Sequence, residues 1–180
     1  MAQNENLLAI IECIPKKDGM REGFVLAEFL HMAGVGAAEY YGFTNRSELL
    51  AFLESDALLD YDAVHLSGHG VADRNHACFL LPKGKVYPEE FPEECFLGKT
   101  VAVSACGLGK TCFARPFQAR TGASAVIAPQ REVLFVDAAV WFVNYYYRLS
   151  CGGVRPRTAY EQTEASLDGM VRGAFQFYPE

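Results

Sequence analysis

The sequence predicts an α/β fold, a mostly parallel sheet of about six strands flanked by helices. Three observations lead there. Short segments that are apolar along their whole length alternate with segments of helical periodicity; strands covered on both faces read that way, and parallel sheets are covered on both faces. The chain has 180 residues, 51% of them hydrophobic and 13% aromatic, enough to fill a core without metal or disulfide staples. No repeat, low-complexity tract or long linker divides it, so residues 1–180 read as one domain.

In chain order, LLAIIEC (7–13) is a buried strand. Helical spacing follows in 20–34, where Phe24, Leu26, Ala27, Leu30 and Met32 keep to one side and Gly34 is placed to end the helix. AAEYYGF (37–43) is a short strand candidate, and Asn45 or Ser47 would cap a helix over 47–59. YDAVHLS (61–67) is a strong strand that runs into Gly68-His69-Gly70. Residues 77–88 read as a hairpin turning at Lys83-Gly84. TVAVSAC (100–106) and GASAVIAP (122–129) are further buried strands. Helices over 138–149 and, after Pro156, over 158–175 complete the pattern.

The net charge is -6, which argues against nucleic acid or an anionic membrane as the main partner. The start lacks a basic export signal, and no apolar run approaches the roughly 20 residues that cross a bilayer. The expectation is therefore a cytoplasmic protein with its six cysteines reduced. No Cys-x-x-Cys occurs, so neither a metal nor another cofactor is expected.

Two strands end in unusual residues. One runs into Ser67-Gly68-His69-Gly70, the other into Ser104-Ala105-Cys106-Gly107. Parallel strands would set His69 and Cys106 on the same carboxyl edge, where open α/β sheets bind ligands. A thiol nucleophile needs a base or cation beside it, because the thiolate is the reactive form. The neighbouring glycines let backbone N–H groups come close, so the amides of Gly70 and Cys106 are candidates for an oxyanion site. Alone, a cysteine or histidine is most often structural, and Cys13, Cys95 and Cys151 read so. Cys106 and His69 stand out together because each closes its own strand beside glycine.

HLSGHG (65–70) followed by VAVSACG (101–107) resembles the caspase-like cysteine peptidases, nearest the CHAT branch beside separases and metacaspases. GASAVIAPQREVLFVDAAVWFVNYYYRL (122–149) is similar to the same branch, so the resemblance covers about residues 60–150. Gln130-Arg131 stands where the branch often has a Trp. The resemblance implies a three-layer caspase-like sandwich and a thiol endopeptidase using a Cys106–His69 dyad, without a third orienting residue. It implies limited proteolysis of a protein or peptide substrate, with regulation by an activator protein among the possibilities. It also places an acidic residue, Asp137, in the pocket for a basic P1 side chain; as a helix N-cap, Asp137 has an equally good structural role. Ser104 and Ser67 are further candidates to line that pocket.

Other residues carry plainer readings. His65 is expected to be buried and hydrogen-bonded. His76 and Cys78 match no usual metal spacing. Asp73-Arg74-Asn75 reads as a solvated loop beside the groove. Of Tyr145, Tyr146 and Tyr147, two are expected in the core or an interface, and the aromatics of 141–147 could support a dimer.

Two rival functions remain. SACGLGKT (104–111) is one residue from a phosphate-binding loop, in which Lys110 and Thr111 would hold phosphate and magnesium and LFVD (134–137) would supply the acidic strand end. Ser104 replaces the first glycine, and Pro116 would shorten the helix such a loop needs. The other rival is a non-catalytic module that only binds partners.

Overall fold

A computed structural model describes residues 8–34, 37–73, 76–169 and 171–179. Its centre is a six-stranded sheet of β1 (Leu8–Glu12), β2 (Ala38–Gly42), β3 (Ala63–Ser67), β7 (Thr100–Ser104), β8 (Ala125–Pro129) and β9 (Phe175–Pro179), in the order β2-β1-β3-β7-β8-β9. Every pairing is parallel except β8 with β9. A second, antiparallel sheet contains β4 (His69–Ala72), β5 (Ala77–Leu81) and β6 (Gly84–Val86). The helices are α1 (Glu22–Met32), α2 (Arg46–Leu53), α3 (Thr111–Thr121), α4 (Phe135–Ser150) and α5 (Pro156–Ser166).

The core strands are apolar throughout because both faces of the main sheet are covered. Ala9, Ile11, Val64, Leu66, Val101, Val103 and Val126 point into one cluster with Leu49 of α2, Phe113 and Phe117 of α3, and Phe79 of β5. Leu8, Ile10, Ala63, Ala102 and Ile127 point into the other, with Leu26 and Leu30 of α1 and Trp141, Phe142, Tyr145 and Tyr146 of α4. Burying each such aromatic or leucine side chain contributes roughly 2–3 kcal/mol. Tyr145 and Tyr146 are therefore core and Tyr147 is exposed; the aromatics at 141, 142, 145 and 146 are consumed inside the chain and do not form the dimer surface the sequence allowed.

Four expectations need correction. Helix 158–175 stops at Ser166: Leu167 is already extended, and Gly169 and Gly173 take left-handed conformations (φ +77° and +70°) that leave the helix. Phe175–Pro179 is instead the edge strand β9, whose Phe175 stacks on Trp141 with ring centres 4.3 Å apart. Helix 47–59 ends at Leu53, with a separate 3-10 turn at Asp56–Leu58; its cap is Asn45, which accepts from the Glu48 amide at 2.9 Å. Met32 is exposed and lies off the buried face of α1. Finally, α3 runs straight through Pro116. Pro116 sits on the exposed side of the helix, which keeps its run at the cost of one i→i−4 bond.

No helix among the described residues is long and apolar enough to cross a membrane.

Candidate active site

β1, β3 and β7 end in register, with Glu12, Ser67 and Ser104 as neighbours across the sheet. The connections that leave these three strands therefore meet at one carboxyl edge. The ends are laced together: the Cys13 amide donates to Ser67 O (2.7 Å) and the Gly68 amide to Ser104 O (3.1 Å).

After Gly68 the chain does not become a loop. It turns directly into β4, which begins at His69 and crosses the front of the turn after β7. Gly70 shows how close that crossing is: a Cβ there would run into the carbonyl oxygen of Cys106 and lie 2.8 Å from Leu108 Cγ. The hairpin register also frees its amide. Asp73 N–H bonds His76 O (2.9 Å) at the turn, so the narrow pairs of the ladder are 71 with 78 and 69 with 80. Gly70, opposite Phe79, falls in a wide pair, and its N–H points away from β5.

His69, Gly70, Cys106 and Asp137 line one groove of about 600 Å³, with Met20 and residues 131–135 forming the rest of its wall. The Cys106 thiol is held by Val133: Val133 N–H reaches Sγ at 3.4 Å and Sγ reaches Val133 O at 3.5 Å. His69 packs against the edge of Phe135, ring centres 5.2 Å apart. Its Nε2 lies 2.8 Å from Asp18 Oδ2. Asp18 is a contact that sequence reasoning missed; the available signal was an acidic residue shortly after β1, on the edge where the other two strands deliver His69 and Cys106.

The remaining sequence candidates fall in different places. Asp137 is not the N-cap of α4; Leu134 is, and Asp137 stands in the first turn, partly exposed to the groove. Ser67 and Ser104 do not line the groove. Alternation along β3 and β7 turns them under the sheet, where both are buried. There Ser67 Oγ donates to the Glu22 carboxylate, which also sits 3.3 Å from His65 Nε2, while His65 Nδ1 meets Tyr146 OH at 3.1 Å. His65 is thus buried and bonded, as its sequence context implies. Arg74 and Asn75 lie outside the described residues, and among those described no cluster of three metal-binding side chains forms.

Three of the other thiols are raised by burial, whereas Cys112 is partly exposed, as Cys106 is, and Cys151 is exposed. Burial pushes the thiol pKa of Cys13 far up, that of Cys95 up to about 12, and that of Cys78 upward as well.

The phosphate-loop reading meets a specific obstacle. The amides such a loop would offer are spent: Gly107 N bonds Arg131 O, Leu108 N bonds Ala105 O, Gly109 N bonds Pro129 O, and Lys110 N bonds Gly107 O. Lys110 Nζ points to Ala72 O at 3.1 Å. The turn is braced from behind by Tyr178 of β9, whose hydroxyl donates to Gly109 O at 2.6 Å.

Compared with protein-family models and with curated proteins, the sequence matches none.

Proposed function

We propose that the protein is a cysteine endopeptidase of caspase-like, CHAT-type character, performing limited proteolysis with Cys106 as nucleophile and His69 as base. The observation that carries this reading is the groove at the sheet's carboxyl edge, where Cys106 and His69 arrive on separate strand ends beside a close-packed Gly70. His69 takes the thiol proton as sulfur attacks the scissile carbonyl, and the amides of Gly70 and Cys106 receive the oxyanion. Collapse breaks the C–N bond, His69 returns the proton to the leaving amine, and a thioester remains. Water, deprotonated by His69, attacks the thioester; sulfur leaves and recovers the proton.

A basic P1 residue is the proposed preference. Asp137 and Glu132 line the groove, and its one arginine, Arg131, also bonds Arg172 O at 3.2 Å. The partners are accordingly a protein or peptide substrate and, for a protease acting in the cytoplasm, an activator protein that switches it on.

The test is mass spectrometry after treatment with peptidyl electrophiles carrying Arg, Lys, Asp or Leu at P1. One adduct on Cys106, preferring Arg or Lys, lost in His69→Ala and losing its preference in Asp137→Asn, is expected. Equal labelling by all four probes refutes the P1 assignment. Absence of selective labelling at Cys106 means a protease latent without its activator, or the binding-module or phosphate-loop reading in its place.

A further inference from the structure

A thiol–imidazole pair works only if the ring presents the right nitrogen at the right angle. In this groove little packing fixes the ring. The His69 side chain is 39% exposed, and its described ring contact is one edge of Phe135. An imidazole so lightly held rotates, unless a polar partner fixes it.

Asp18 is that partner. We propose that Asp18 is a positioning residue which makes the site a Cys106–His69–Asp18 triad; this rests on the peptidase reading above. With Nε2–H donated to Oδ2 at 2.8 Å, the nitrogen left to exchange a proton with Cys106 is Nδ1. The carboxylate fixes the tautomer before the reaction and faces the imidazolium that forms during it.

The placement of Asp18 is built into the β1–α1 connection. Residues Lys16–Asp18 form a 3-10 turn, with Asp18 N–H on Pro15 O (3.0 Å) and Gly19 closing it at φ +66°. The connection is anchored at its start by the Cys13 amide on Ser67 O. Beyond it, the buried Glu12 carboxylate accepts from Phe24 N–H (3.1 Å) and Tyr40 OH (2.9 Å), and Arg21 lies over the Phe24 ring at 4.2 Å. The turn therefore carries its carboxylate from one fixed end to another. The charged groups that line the groove with His69 are Asp137 from α4 and Arg131 and Glu132 from the β8–α4 loop; Asp18 stands just outside that lining and bonds His69.

The experiment reads the pH dependence of Cys106 alkylation by iodoacetamide, mapped by mass spectrometry on the whole chain, so that no knowledge of the substrate is needed. In Asp18→Asn the midpoint is expected to rise by about one unit, a roughly tenfold lower rate at pH values below it. Asp18→Glu restores part of the difference, which loss of a merely structural contact would not do. A profile for Asp18→Asn that overlays the parent while His69→Ala shifts it overturns the triad and leaves the dyad. Profiles unchanged in Asp18→Asn and His69→Ala alike overturn the Cys106–His69 pairing, and the triad with it.

Discussion

Gly70→Ala tests whether the crossing of β4 over the Cys106 turn is what makes the site. The φ of Gly70 is not left-handed, so alanine brings no backbone strain of its own, only a methyl group. That methyl would meet the carbonyl oxygen of Cys106, with Leu108 Cγ at 2.8 Å and the Ala105 carbonyl carbon at 3.2 Å. Side chains could rotate away from it; the Cys106 and Ala105 backbone cannot. Strand β4 must therefore retreat by something on the order of half an ångström to one ångström, carrying His69 and the Gly70 amide with it. A misplacement of about 1 Å costs a catalytic arrangement roughly 10²-fold. Overpacking of this kind destabilises by about 1–3 kcal/mol, equivalent to roughly 2–12 °C in Tm for a chain of this size. The assay is the rate of Cys106 labelling by a peptidyl electrophile, beside thermal unfolding. Gly153→Ala is the control: Gly153 has φ +58° with nothing within 4 Å, so alanine there costs about 1 kcal/mol or more far from the groove. The reasoning is refuted if Gly70→Ala labels at the parent rate, or loses labelling only in proportion to stability as Gly153→Ala does.

The same geometry makes three other outcomes testable. In timed alkylation at pH 8, Cys106 should react while Cys13, Cys78 and Cys95 wait for unfolding, since burial holds their thiols protonated; Cys95 reacting as fast as Cys106 would contradict this. Because these thiols titrate higher in the folded chain than their ordinary value of 9.0, the stabilisation they give is fully present below pH 9 and is lost as pH rises past it, visible as a falling urea midpoint in reducing buffer. Glu22→Ala strips Ser67 and His65 of their buried acceptor and should cost about 2–4 kcal/mol in urea unfolding. Lys110→Ala removes the bond to Ala72 O and should leave Cys106 labelling within about twofold and ATP binding undetectable by calorimetry; ATP binding by the parent that this variant abolishes would revive the phosphate-loop reading.

The parallel core was legible because apolar composition reports burial on both faces directly. Strands such as Ala63–Ser67 and Thr100–Ser104 sit within the segments their composition marks. Three elements were not legible. β4 contains two small residues and a histidine among four, and its pairing is set by the hairpin partner Ala77–Leu81 rather than by its own pattern. The α3 helix hides behind Pro116, which the sequence reads as a helix breaker and which the rest of the packed helix outweighs. β9 was not read at all: the expected helix took in Phe175 and left 176–179 unassigned, and the two left-handed glycines, Gly169 and Gly173, are what end the helix before it.

At the site, what was legible was whatever needed only strand ends. His69 and Cys106 could be paired because parallel register converts two positions in the sequence into one edge of a sheet. Ser67 and Ser104 were misjudged by the same step taken too far: nearness to that edge does not say which face a side chain takes, and period-two alternation turns both beneath it. Asp18 was missed for the opposite reason. It sits in a hydrophilic KKDG turn that looks like any solvated connection, and nothing local marks it. Yet β1 pairs with β3 as regularly as β3 does with β7, Glu12 beside Ser67. A third strand thus opens onto the same edge, and its connection begins beside the one that carries His69. Register, once granted for two strands, implies the third; the acidic residue in that third connection is the group to ask about first when a histidine there must be held in place.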